Sequence, residues 1–143
     1  MGRLASLVLV LVFVLSMTLS GCASKDASSQ GEGMWVEVNF SDRHRCSRIS
    51  PEIFIYNPPA GTRYYEVRIS QRGNPDRYLG GVRWNFGGLN SDNADVIPEG
   101  GLGTSYRGPC PNGGAPSTYR FVVYAKSAQD VKLSVAEYVL TLE

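Results

Sequence analysis

Most apolar residues after position 34 alternate with polar ones, so that every second side chain would point the same way. A period of two is the pattern of a half-buried β-strand, and no long segment of this region follows the helical period instead. The predicted strands lie within residues 35–40, 53–56, 65–69, 82–86, 119–125, 131–135 and 138–142. Short strands separated by turn residues predict an all-β fold, a sandwich or a barrel, with little or no helix.

The segment 87–103 interrupts this alternation, and we expect a loop there. It contains clusters of Asn, Asp, Gly and Pro, which favour turns. Its glycine-rich part neither follows a predicted strand nor opens a helix, so it lacks the context of a nucleotide-binding loop.

The first 21 residues differ in composition from the rest of the chain. Arg3 is followed by an almost wholly apolar run from Leu4 to Leu19, which has the form of a secretory signal. The next residues complete the sequence Leu-Ser-Gly-Cys, which resembles the lipobox of bacterial lipoproteins and ends at Cys22. The resemblance implies cleavage before Cys22 and its modification with acyl chains such as palmitate, which anchor a protein to a membrane. The alternatives are an ordinary signal peptide with a chance cysteine, or an uncleaved anchor.

We therefore expect three regions: a signal peptide at 1–21, a flexible tether at 22–33 and one β-domain at 34–143. The tether is small and polar, as linkers are. The expected location is the bacterial cell envelope. In a Gram-negative cell, Ala23 after the cysteine favours the outer membrane, facing the periplasm.

The net charge excludes one class of partner. Removal of residues 1–21 takes away one arginine and no acidic residue, which leaves 13 basic and 13 acidic side chains. A nucleic-acid binder would show a basic excess, so we expect no nucleic acid among the partners.

Two cysteines remain after the signal peptide, Cys46 and Cys110. An exported protein is in an oxidising environment, where a disulfide can form. The sequence does not establish that the two residues approach closely enough, so both the bridged and the free forms stay open.

The sequence offers no catalytic set. His44 is the only histidine, and we interpret it as a solvated loop residue without partners for a triad or a metal site. Cys110 lies between two prolines, with no base nearby in the sequence. We therefore expect a protein that is not an enzyme and that uses no cofactor and no metal.

The stretch from Tyr106 to Ala125 combines a rigid loop with a strand. Its first half, Tyr-Arg-Gly-Pro-Cys-Pro, cannot be helical because of its prolines, and its second half alternates strictly. Such loops on a rigid scaffold are frequent binding sites, although a plain hairpin loop stiffened by proline is the alternative.

Four stretches in order resemble the phosphatidylethanolamine-binding protein family, in its bacterial Raf-kinase-inhibitor-like branch. They are the Cys-Ser-Arg-Ile-Ser-Pro sequence that begins at Cys46, the Pro-Ala-Gly-Thr turn at 59–62, the Arg-Trp strand at 82–86 and the Gly-Pro-Cys-Pro loop with its following strand at 106–125. The resemblance implies an antiparallel β-sandwich of that family's type, with a small anion-accepting pocket at one end.

The residues that the resemblance assigns to this pocket depart from the family pattern. The acidic loop of the family corresponds to Gln71–Pro75, its histidine before tryptophan to Arg83, and its second histidine to Ser117. These changes make the implied pocket more positive, and an arginine can hold a phosphate or a carboxylate with two hydrogen bonds. The expected ligand-binding residues are Arg83, Tyr106, Gly108, Pro109, Pro111, Ser117 and Tyr119.

The expected function is that of a lipid-anchored envelope protein that binds a small anionic ligand. The alternative is an inactive pocket in a protein-interaction or inhibitory module of the envelope. In that case the partner would be another envelope protein.

Overall fold

The computed structural model describes residues 33–73 and 75–143. The predicted signal peptide, Cys22 and the tether up to residue 32 lie outside the described residues. The strands are β1 (Trp35–Asn39), β2 (Glu52–Tyr56), β3 (Tyr64–Gln71), β4 (Arg77–Asn85), β5 (Ala94–Ile97), β6 (Ser117–Lys126) and β7 (Lys132–Leu142). They form two antiparallel sheets, with the strand orders β1-β2-β5 and β4-β3-β6-β7.

The two sheets contribute to one apolar core, as the alternation in the sequence predicts. On β3 and β6 the inward residues lie directly opposite one another: Val67 pairs with Val123 and Ile69 with Phe121, and all four are buried. Helical structure in the described part of the chain is limited to two short 3₁₀ turns, Asp42–His44 and Gly103–Ser105. None of it is long and apolar enough to cross a bilayer. The expected all-β sandwich with little helix is therefore confirmed.

Strand β5 lies inside the segment that we expected to be a loop, so that prediction is wrong for Ala94–Ile97. The strand pairs antiparallel with β2. The sequence of β5 does not show the apolar alternation of a strand, because Asp95 occupies a buried position and is only 4% exposed. Backbone N–H groups of Gly87 and Val96 each donate to this carboxylate at 2.9 Å, and these bonds offset the cost of its burial.

Strand β7 is one continuous edge strand, although its sequence contains apolar residues on both faces. Ala136 is buried, and Tyr138, Leu140 and Leu142 pack against the core. Because a strand presents only alternate residues to the core, the other apolar residues face outward. These are Leu133, Val135 and Val139, with exposed fractions of 37%, 48% and 53%, and Val131, just before the strand, is 56% exposed.

Candidate functional site

The loop that contains Gly108 and Cys110 is fastened to the turn before β2. The Gly108 N–H donates to the Ser47 carbonyl at 2.7 Å, and the Cys46 N–H donates to the Pro109 carbonyl at 3.0 Å. A disulfide joins Cys46 to Cys110, with their Cα atoms 4.5 Å apart. Two distant segments of the chain therefore form a single cross-linked wall.

A cavity of about 210 Å³ opens beside this wall. Its other side comes from the ends of three adjacent strands. The register places Arg77 of β4 opposite Gln71 of β3, and Gln71 opposite Tyr119 of β6. The residues around the cavity are Cys46, Ser47, Arg48, Gln71, Arg77, Leu79, Arg107, Gly108, Cys110 and Tyr119.

The lining contains three arginines, Arg48, Arg77 and Arg107, and no acidic residue. Among residues 33–73 and 75–143, none of the three has a carboxylate oxygen within 4.0 Å. By contrast, Arg120 on the outer sheet face pairs with Glu137 at 2.6 Å, and its hydrogen bond holds the pKa of Glu137 below its ordinary value. The cavity thus has three positively charged side chains in its lining, and none of them forms an ion pair with a carboxylate of the described residues.

Two tyrosine hydroxyls at this end of the core also lack partners. Tyr106 and Tyr119 are fully buried, and neither hydroxyl forms a hydrogen bond within the described chain. Burial raises the pKa of Tyr106, which keeps its hydroxyl protonated. Most buried polar atoms in folded proteins are paired, so these two hydroxyls are exceptions. Because Tyr119 has no exposed surface, its hydroxyl lies behind the cavity wall and is not open to a ligand.

Arg83, which the Arg-Trp sequence led us to expect at the binding site, does not line this cavity but a second one. It pairs in register with Glu66, five residues before Gln71 on β3, which places it about 17 Å along the sheet from the cavity row. Its guanidinium lies 3.5 Å from the centre of the Tyr64 ring, a cation–π contact. That ring's hydroxyl bonds to Asp130 on the β6–β7 turn.

The other expected site residues lie partly at the cavity and partly elsewhere in the fold. Gly108, Tyr119 and the two cysteines line the cavity. Tyr106 belongs to the buried core, and Ser117 begins β6 opposite Leu142. Pro109 and Pro111 are part of the loop but do not line the cavity. Their neighbours Gly108 and Cys110 line it.

Sequence reasoning missed the three arginines of the cavity. Arg48 and Arg107 carried a usable signal, because each stands within three residues of a cysteine. A disulfide between Cys46 and Cys110 necessarily brings both arginines near one another. Arg77 carried no such signal, since its place depends on the register of the β3–β4 hairpin.

His44 is not the solvated loop residue that we expected, because it is 2% exposed. Its Nδ1 accepts the backbone N–H of Ser41 at 2.9 Å, so its Nε2 carries the proton and donates to Glu99 at 2.7 Å. The Ser41 hydroxyl also lies 3.2 Å from Nδ1. These contacts among Ser41, His44 and Glu99 cap a 3₁₀ turn. The His44 ring has almost no exposed surface through which to reach a substrate.

Among the described residues, no group of three metal-ligating side chains comes together. The cavity itself contains guanidinium, amide, hydroxyl and disulfide groups, with no free thiol and no imidazole. This set of groups can bind and orient an anion by hydrogen bonds.

Several solved structures are similar to this one, including the following two. One is Escherichia coli YbcL, described as a member of the mammalian phosphatidylethanolamine-binding protein family, with a TM-score of 0.60 and 17% identity over 77% of this chain and 98% of that chain. The other is the phosphatidylethanolamine-binding protein homologue CT736 of Chlamydia trachomatis, with a TM-score of 0.58 and 19% identity over 79% and 99% of the two chains. No family model and no curated protein matches the chain significantly. The described domain therefore has the phosphatidylethanolamine-binding-protein fold that its loop and strand motifs resemble.

Proposed function

We propose that this domain binds a small, multiply charged anion in the arginine-lined cavity, without catalysing a reaction on it. The observation that carries the proposal is the lining itself: three arginines with no acidic residue among them. Guanidinium groups form their strongest hydrogen bonds with phosphate and carboxylate oxygens.

The size and polarity of the cavity narrow the ligand class. A volume of about 210 Å³ suits inorganic phosphate, pyrophosphate or the head of a phosphomonoester. Gln71 stands where the resemblance implies an acidic loop, so no carboxylate of the lining would attract an ammonium group on the ligand. We therefore propose that anionic charge, and not a zwitterionic head group, governs binding.

Calorimetric titration of the full-length chain at low ionic strength tests this proposal. We expect pyrophosphate to bind more tightly than phosphate, acetate to bind weakly and choline not at all, with affinities that fall as salt rises. The Arg107→Gln variant should lose roughly 10- to 100-fold in pyrophosphate affinity, because one charge-assisted hydrogen bond contributes about 1.5–3 kcal/mol.

The matched control is Arg83→Gln, which removes an exposed arginine of β4 that lies outside the cavity. Its affinity for pyrophosphate should equal that of the unmodified protein. A wild-type protein that does not bind pyrophosphate, or an equal loss in both variants, would contradict the proposal and favour the interaction-module alternative.

We also propose that the domain is held at a membrane of the cell envelope by acyl chains on Cys22. The support is the Leu-Ser-Gly-Cys sequence after the apolar run. In a bacterial host, the unmodified chain should incorporate labelled palmitate and the Cys22→Ala variant should not, because acyl chains can no longer be attached. The tether variant Ser24→Ala should be labelled like the unmodified chain. An unmodified chain that stays unlabelled in the membrane fraction would indicate an uncleaved anchor instead.

A further inference from the structure

The two cysteines stand beside two of the cavity's arginines. Cys46 lies two residues before Arg48, and Cys110 lies three residues after Arg107. All four residues line the cavity, and all four are solvent-exposed. The disulfide is therefore part of the site's wall and is open to a reductant from solvent.

The disulfide holds two like charges on the same side of the cavity. Arg48 and Arg107 carry like charges, which repel at close range, and no carboxylate of the described chain lies within 4.0 Å of either. Besides the disulfide, the two segments are joined by the Gly108–Ser47 and Cys46–Pro109 backbone hydrogen bonds. Breaking the covalent link leaves those two bonds to resist the repulsion.

The backbone conformation of Cys46 is a second factor that favours separation of the two segments once the disulfide is broken. Its φ is 51°, in the left-handed region that costs a residue with a side chain about 1 kcal/mol or more. While the disulfide is closed, the cross-link and the neighbouring hydrogen bond hold this conformation. Once it opens, relaxation of Cys46 to negative φ would change the direction in which the chain continues to Ser47 and Arg48, and so their positions at the cavity.

We propose that the Cys46–Cys110 disulfide is a redox switch for the anion site, with the closed form binding and the open form releasing. This inference rests on the proposed function and adds its regulation. The reductant is a dithiol: one thiolate attacks a sulfur of the disulfide, and a mixed disulfide forms. The second thiolate then displaces the remaining cysteine. The dithiol becomes a disulfide, and the two electrons and two protons end on the Cys46 and Cys110 thiols.

The test compares pyrophosphate affinity in the two redox states. The protein is the full-length chain carrying Cys22→Ala, so that Cys46 and Cys110 are its only thiols. One sample stays oxidised, a second is reduced with dithiothreitol and dialysed without oxygen, and a third is reduced and then reoxidised. We expect the reduced sample to bind about tenfold more weakly, the loss of roughly one charge-assisted contact, and reoxidation to restore binding.

The double variant Cys46→Ser, Cys110→Ser provides the matched control, since it removes the link without any thiol chemistry. It should bind as weakly as the reduced protein and should not respond to dithiothreitol. Circular dichroism and a urea unfolding curve report on folding in each sample, and the inference requires a cooperative transition in the reduced form.

The outcomes distinguish failure of the redox switch from failure of the anion-binding site. Equal affinity in the oxidised and reduced samples would overturn the switch and leave the anion site intact. A reduced form without a cooperative transition would also overturn it, because the disulfide would then be needed for folding and not for regulation. An oxidised sample that does not bind pyrophosphate would overturn the proposed function itself, and the switch with it.

Discussion

Replacing Gly108 by alanine is expected to lower the free energy of unfolding by about 2–4 kcal/mol. A Cβ atom there would overlap the His44 carbonyl oxygen and would lie 2.8 Å from the Ser47 oxygen. These are backbone atoms, so no flexible side chain can move aside. Overpacking typically costs about 1–3 kcal/mol, and loss of the Gly108–Ser47 hydrogen bond adds about 0.5–1.5 kcal/mol. Urea unfolding followed by fluorescence measures the change.

The matched control for this substitution is Gly113→Ala, five residues further along the same loop. A Cβ at Gly113 meets no atom within 4 Å, and the residue does not have the left-handed φ that neighbouring Gly114 has. We expect a change within about 0.5 kcal/mol. Equal destabilisation by both substitutions would show that the loop does not pack closely against the Cys46 turn.

The Phe121→Ala variant is expected to lose about 3–5 kcal/mol of stability, a large part of the total for a domain of this size. Phe121 has no exposed surface and lies edge-on to Tyr138, with ring centroids 6.4 Å apart. Truncation removes the ring from the centre of the β3–β6 interface and leaves a cavity between the sheets. A lower midpoint of urea unfolding with an unchanged slope would report this loss.

Val139→Ala on the neighbouring strand is the control, because Val139 is 53% exposed and faces away from the core. Its expected effect is below about 0.5 kcal/mol. A cost comparable to that of Phe121→Ala would contradict the exposed position of the outer face of β7. Light scattering at several protein concentrations would then show whether a second copy covers that face.

The alternation in the sequence was sufficient to predict most strands, because a half-buried strand needs nothing more than every second residue to be apolar. It failed at β5, where the inward position is occupied by Asp95. A buried carboxylate is stable there only because Gly87 and Val96 donate hydrogen bonds to it. Gly87 lies before the strand, so the compensation depends on how the chain turns.

The burial of His44 also depends on a contact between distant segments of the chain. With one histidine in the chain, the sequence favours a solvated residue, yet Glu99 reaches it from 55 positions away. The two residues meet because the turn after β1 and the loop after β5 come together at one end of the sandwich. Local sequence patterns contain no information on a tertiary contact of this kind.

The sequence by itself determined the all-β class, the rigid Gly-Pro-Cys-Pro loop and the absence of a basic excess, since these depend on local backbone preferences and on composition. Only the tertiary structure decided which side chains line the cavity. Arg83 follows the motif but lies along the sheet, over the Tyr64 ring. Arg48 and Arg107 stand inside motifs that assign them no role, Arg77 stands in none, and all three still line one cavity. The reason is physical: their positions depend on strand register and on a cross-link between distant segments, which are properties of the whole fold.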